Sequence, residues 1–252
     1  MFKQITVVIL LFILIIQNNL TLTFAKQNSS ANISIPVFCY HSVNPNSYNN
    51  AIITPKRLKA HLTFIKNKGF TTLSISDLSK YLSNNAELPE KSILITFDDG
   101  YMDNYYYAFP ILKELNMKAT IFCITHALDG NYYLSKDAIK TMSNHNIDIE
   151  SHTYRHNKLN SLSYEDQLNE LQKSKKDLEA ITGKKLTAIA YPYGEYNENT
   201  IKAASTAGYK LGFTTQNGFV HPKDSVLKLN RIYIGPDYDL KKIENILSEI
   251  KK

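Results

Sequence analysis

Cysteine is almost absent: Cys39 and Cys123 are the only 2 among 252 residues. A disulfide-stapled scaffold is thereby excluded. Each thiol lies in an apolar, strand-like run, so the sequence predicts two buried free cysteines rather than a bridge. Arginine is scarcer than lysine throughout, occurring only as Arg57, Arg155 and Arg231. The formal net charge of +6 is therefore spread as lysines, with no arginine stripe and no nucleic-acid motif, so DNA and RNA are not expected partners. A chain of this charge suits an anionic setting such as a cell wall. No apolar run is long enough to span a bilayer comfortably. The longest, Ile5 to Ile16, follows Lys3 and precedes Gln17-Asn18-Asn19, and Thr23 and Ala25 supply small residues at −3 and −1. Residues 1–25 are expected to be a secretory signal peptide cut after Ala25, with an uncleaved anchor as the minority alternative. The mature protein, 26–252, is then secreted or held at the cell surface. Residues 27–32 read as a polar lead-in. With 43% hydrophobic and 21% charged residues, disorder and coiled coil are excluded as well.

What is present is a regular alternation of apolar runs and amphipathic segments. Strands are expected at Ile33 to Tyr40, Phe70 to Ile75, Ile93 to Ile95, Ala119 to Ile124, Ile147 to Ile149, Leu186 to Ala190 and Gly212 to Thr214. Between them lie helices. One starts at Thr54-Pro55, carries Leu58, Leu62 and Ile65 on one face and stops at Gly69. Others are expected from Ser76 to Leu82, Tyr101 to Leu115 (bent or restarted at Pro110), Ser135 to Ser143, Ser163 to Thr182, Glu198 to Ala207 and Leu240 to Lys251. No linker divides the chain. The pattern predicts one α/β, barrel-like domain, with active residues at the carboxyl ends of its strands.

Three stretches carry chemistry at such ends. Thr96-Phe97-Asp98-Asp99-Gly100 closes the central strand with two adjacent carboxylates and a glycine. Taken alone it also fits an Asp-Gly hairpin turn, but the helix and second strand behind it make a βαβ unit. Ser151-His152-Thr153-Tyr154-Arg155-His156 follows a strand and places two histidines four apart, as on one face of a helical turn. One carboxylate and two imidazoles would hold a metal ion with positions left open for water and substrate. Tyr191-Pro192-Tyr193-Gly194 makes a rigid turn that suits either a plain structural role or backbone N–H groups aimed at an oxyanion.

Together these motifs resemble the polysaccharide deacetylases with a NodB-homology domain, carbohydrate esterase family four. The resemblance runs from about Ser92 to the C-terminus, with residues 33–91 completing the barrel. It implies a distorted (β/α) barrel and hydrolytic removal of acetyl groups from sugar polymers, most often from N-acetylglucosamine. Motif for motif, Asp98 would be the general base, Asp99, His152 and His156 the metal ligands, and the Tyr193 backbone part of an oxyanion hole. Tyr40-His41-Ser42-Val43 resembles the N-terminal motif of the exopolysaccharide-deacetylase branch.

Two departures from the family pattern stand out. Ala190 occupies the place of an arginine that orients the base; Arg231 would supply that charge, or else lie at the surface. The family's late histidine, the general acid, has no counterpart after His221. His41, at the end of the first strand, is expected to take its place, because the first and last strands of a closed barrel are neighbours; His126 is the next candidate. His61 and His145 read as structural or solvated. The expected activity is metal-dependent N-deacetylation of peptidoglycan, an exopolysaccharide or a chitin-like polymer by a monomer. The metal would be zinc by default for a His₂-carboxylate set, with cobalt, nickel or manganese as alternatives. An O-acetyl esterase on a xylan-like glycan, or a catalytically silent carbohydrate-binding module, would share the fold. A glycosidase is disfavoured, since adjacent carboxylates are poorly placed to bracket a glycosidic bond.

Overall fold

Short apolar strands with two faces to bury need partners on both sides, and parallel crossover units supply them. The computed structural model describes residues 33–46, 49–83 and 86–250; the signal peptide expected at 1–25 and the lead-in expected at 27–32 lie outside the described residues. The central strand β5 (Ser92–Phe97) is flanked by β1 (Val37–Tyr40) and β6 (Ala119–Cys123). The sheet continues through β7 (Ile147–Ser151), β8 (Ala188–Ala190) and β9 (Leu211–Phe213), and on the other side of β1 lies β10 (Ile232–Tyr233). Every one of these pairings is parallel. Leu229 bridges Phe213 of β9 just before the chain joins β1 as β10, so the sheet curls round to meet itself there. This is the barrel-like α/β domain that the alternation of elements implied, distorted as the family resemblance implied, with the first and last strands adjacent.

Alternation along the strands sorts the side chains into two layers. Phe38, Tyr40, Ile93, Ile95, Phe97, Ile121, Ile147 and Ile149 pack outward with α1 (Pro55–Asn67), α3 (Phe109–Leu115) and α4 (Lys136–Ser143). Val37, Leu94, Phe122, Ala188, Ala190, Leu211 and Phe213 form a second, inner cluster. Ile75, Leu78 and Leu82 of α2 (Ile75–Leu82) join that inner cluster and plug the amino-terminal end of the barrel. By the same parity Cys39 and His41 follow Val37, and Thr96 and Asp98 follow Leu94, onto the inner side. The remaining helices α5 (Tyr164–Thr182), α6 (Glu198–Thr206) and α7 (Leu240–Ser248) cover the outside.

Several boundaries differ from those the sequence implied. The first strand is four residues long, because Pro36 has no N–H to give a ladder and Ile35 makes only an isolated antiparallel bridge to Val220. The strand at 70–75 shrinks to β4 (Thr71–Thr72), since Ser74 caps α2 in a capping box with Asp77. A small parallel pair, β2 (Ser42–Val43) and β3 (Ile52–Ile53), was too short to leave a periodic signal. The helix after Gly100 opens with a π turn, Asn104–Ala108, in which Phe109 N–H reaches Asn104 O. Pro110 has no N–H to give, and the wider turn absorbs the gap in the ladder. The last helix ends at Ser248 rather than running on.

Candidate active site

The carboxyl end of β5 turns through two left-handed residues, Asp99 at φ 72° and Gly100 at φ 73°. A side chain at Gly100 is barred twice: by that φ, and by Cys123, whose Sγ, Cα and Cβ would lie 3.0–3.3 Å from an added Cβ. The turn separates the two carboxylates. Asp98 stays on the inner side of the strand, while Asp99 is swung toward β7.

There it meets both histidines. Asp99 Oδ1 lies 3.4 Å from His152 Nε2 and 3.4 Å from His156 Nε2, and the two Nε2 atoms are 3.2 Å apart. The histidines do not share a helical turn, as their spacing suggested. His152 extends β7, its N–H donating to Cys123 O, and the chain then loops through Thr153 (φ 65°) and His156 (φ 61°). Two left-handed residues achieve what a helix would have done, and such backbone is typical of functional sites. His152 Nδ1 donates to Ala190 O at 2.8 Å, which leaves Nε2 as the lone-pair nitrogen facing Asp99. His156 Nδ1 lies 3.2 Å from the Tyr193 hydroxyl. Burial together with the neighbouring His152 lowers the His156 pKa to about 4. Burial pushes His152 the same way, but the charges of Asp98 and Asp99 outweigh it and raise its pKa. One carboxylate oxygen and two imidazole nitrogens, converging from three directions with their other atoms engaged, fit a divalent metal ion.

Arg231 resolves the question left by Ala190. It is not a surface residue: it is among the largest fully buried side chains, 2% exposed. Its backbone sits at the start of β10, level with the lower part of β1, and the side chain rises through the barrel to Asp98. Nη1 and Nη2 each donate to one Asp98 oxygen at 2.7 Å, and Nε donates to Thr214 O at 2.9 Å. Burial alone would raise the Asp98 pKa; the paired guanidinium more than reverses this and holds it well below the usual carboxylate range. With its donors so committed, Arg231 lies behind Asp98 and does not face the cleft where substrate-contacting groups were expected. Ala190 serves instead through its carbonyl, on His152.

The polysaccharide deacetylase family model matches residues 85–212. The chain is 39% identical over 202 residues to YxkH of Bacillus subtilis, whose name assigns it to the polysaccharide deacetylases, covering 80% of this chain and 72% of that one. This chain belongs to the polysaccharide deacetylase family.

A second relative, a poly-β-1,6-N-acetyl-D-glucosamine N-deacetylase of Staphylococcus epidermidis, is 31% identical over 202 residues, covering 75% of this deacetylase and 70% of its own length. Among solved structures, the Streptococcus pyogenes deacetylase PplD, in complex with acetate, superposes with a TM-score of 0.81 at 32% identity. It spans 87% of this chain and 99% of its own.

The other expected residues fall as follows in this deacetylase. Tyr193 stands at φ 59° in the turn after β8, its side chain 58% exposed over His156. The turn is closed by Gly194 and Glu195 N–H groups donating to Tyr191 O and Pro192 O. His41 lies with Asp98 and Cys39 in a second cluster whose potential ligand atoms are all within 4.8 Å of one another. His126 is exposed on the far side of the His152–His156 loop against Tyr154, outside both clusters. His61 is buried between Tyr40 and Tyr238 O, and His221 bonds Ser34 at the opposite end of the barrel. Both cysteines are free and buried. Cys39 Sγ lies 3.6 Å from Asp98 Oδ2, a contact that reading the sequence missed, although inward parity along β1 was its signal. The Tyr193 hydroxyl and the pair Asp103-Asn104 were missed too. Those two polar residues lie in the first turn of an otherwise apolar-striped helix, and that was the available clue.

Proposed function

We propose that this chain removes N-acetyl groups from an N-acetylglucosamine-containing polysaccharide, an exopolysaccharide or peptidoglycan, outside the cell, as a metal-dependent hydrolase. The observation that carries the reading is the convergence of Asp99, His152 and His156 beside Asp98, itself fixed by Arg231. Asp99, His152 and His156 would hold one divalent ion, zinc by the chemistry of the set, whose contribution when bound is to acidify water and polarise the acetyl carbonyl. Asp98 takes up the proton of the attacking water. Its bidentate bond to Arg231 keeps it ionised and aimed, and Cys39 packs against one oxygen. The Tyr193 backbone N–H, left over when Gly194 and Glu195 close the turn, supports the carbonyl oxygen as negative charge grows on it. His41, from the neighbouring strand, gives a proton to the departing amine. The Staphylococcus epidermidis relative and the export signal read from residues 1–25 favour an extracellular N-acetylglucosamine polymer over O-acetylated xylan.

Mass spectrometry of products from a panel of N-acetylated and O-acetylated oligosaccharides tests the substrate assignment; acetate lost only from O-acetyl positions would refute it. Metal analysis tests the roles of the two carboxylates. Asp98→Asn should keep the metal and lose most turnover, whereas Asp99→Asn should lose the metal. The reverse pattern would exchange the two assignments.

A further inference from the structure

His41 lies near the charges of Asp98 and Asp99, yet no hydrogen bond from a described residue orients its imidazole. Its Nδ1 is buried without a partner among the described residues, and its ring rests edge-on against Tyr233 with centroids 5.6 Å apart. A ring with no hydrogen bond to orient it takes its aim from the backbone that carries it. Residues 41–43 are held at two backbone atoms and one side-chain hydroxyl from one place, the opening of the helix that follows Gly100. Asn104 Nδ2 donates to His41 O at 2.9 Å. Asp103 Oδ1 accepts the Val43 N–H at 3.0 Å, and Oδ2 accepts the Ser42 hydroxyl at 2.5 Å. Asn104 Nδ2 also donates to Asp103 Oδ1 at 3.0 Å, tying the two side chains into one clamp.

Two features mark Asn104 as serving this purpose rather than helix stability. It is completely buried, yet its Oδ1 has no partner among the described residues. A buried carbonyl left unpaired is unfavourable, and an apolar residue of the same shape would avoid it. It also opens the π turn, a rare element that concentrates at functional sites.

We propose that Asn104, tied to Asp103, is the positioning residue for His41, holding the 41–43 backbone so that the imidazole reaches the leaving nitrogen. The inference rests on His41 being the acid. Asp98 and Asp99 leave β5 immediately before this helix, so one rigid segment fixes the carboxylates and, through Asn104, the histidine on the next strand. Base and acid are thereby held in one frame.

The test compares two substrates with the metal-loaded enzyme: an N-acetylglucosamine oligomer, whose amine must be protonated to leave, and 4-nitrophenyl acetate, whose leaving group needs no proton. Asn104→Leu removes the donor and the orphan oxygen together. Because it also leaves His41 O without its donor, it should lower the melting temperature by a few degrees, lower amide turnover roughly 10- to 100-fold through misplacement of the acid, and leave ester turnover nearly unchanged. Asn104→Ser, too short to reach His41 O, should repeat the split if leucine overpacks the site. In a His41→Ala background, Asn104→Leu should cause no further loss on the amide. Equal losses on both substrates, or full additivity with His41→Ala, would overturn the inference. His41→Ala alone separates it from the acid assignment. If that variant lowers both activities alike, the acid assignment fails and the inference with it. If it spares the ester while both Asn104 variants retain amide turnover, the acid stands and the positioning role falls.

Discussion

Arg231→Met is the most informative single change, because it keeps the length of the stem and deletes the charge beneath Asp98. In the parent both partners are buried, and the two oxygens of Asp98 each receive a 2.7 Å bond from the guanidinium. Removing one member of such a pair strands the other in a dry interior, which typically destabilises by about 3–5 kcal/mol. For a chain of this size each kcal/mol lowers the melting temperature by about 2–4 °C, so a fall of roughly 6–20 °C is expected. The loss should also depend on pH. In the parent, Arg231 depresses the Asp98 pKa, so the pair's contribution is present above the unfolded carboxylate value of about 3.9 and fades only as pH falls further. In the variant burial, which raises the pKa, is opposed only by the charges of His152 and His41, so Asp98 loses its main counter-charge and its burial as an anion costs more as pH rises. The gap between parent and variant, read by urea unfolding, should therefore widen from pH 5 to pH 8. Turnover should fall roughly 10²- to 10⁴-fold, the usual worth of a positioned base. Adding Asp98→Asn should recover much of the stability and none of the activity, since no buried charge is left unpaired. A stability loss under about 1 kcal/mol, or one that is flat with pH, would refute the reasoning.

Glu150 offers a second pH test. It is buried in β7, its Oε2 accepting the Thr187 and Ala188 N–H groups, and burial raises its pKa to about 8. A raised carboxylate stabilises below its unfolded value of 4.5 and loses that contribution as pH rises through about 8. Glu150→Gln keeps an acceptor for both N–H groups, so it should match the parent at pH 5 and exceed it at pH 9; identical pH–stability curves would show that Glu150 does not titrate in this range. Gly100→Ala must place a Cβ at φ 73° and within 3.0 Å of Cys123 Sγ. It should destabilise by about 2 kcal/mol or more in thermal unfolding and, by shifting Asp99, weaken metal retention; unchanged stability would mean that the turn relaxes freely.

Local chemistry was legible where it repeats or caps. The apolar periodicity of Leu58, Leu62 and Ile65 marked α1, and the Thr54 cap and Pro55 marked its start, which the structure bears out. Strand ends followed by Asp-Asp-Gly and by two histidines were likewise visible, because a buried parallel strand is a continuous apolar run and its end is abrupt. The mode by which the histidines converge was not. A spacing of four suits a helix as well as a loop, and the choice fell to Thr153 and His156, whose left-handed backbone is set by the strand pairings on either side. The π turn escaped for a similar reason: Pro110 announced a fault in the helix, but only the packing of Asn104 against His41 O decided its form.

By itself, then, the sequence determined the α/β alternation, the motif residues and their places at strand ends, since these rest on contacts within a few residues. Only the tertiary structure decided what joins across the barrel. Asp98 and Arg231 are 133 residues apart in the chain and meet because Leu229 and β10 close the sheet between β9 and β1. His41 comes beside Asp98 because β1 pairs with β5, and His152 is oriented by Ala190 O because β7 lies against β8. No periodicity encodes such meetings. They follow from strand order and register, which burial fixes over the whole molecule at once.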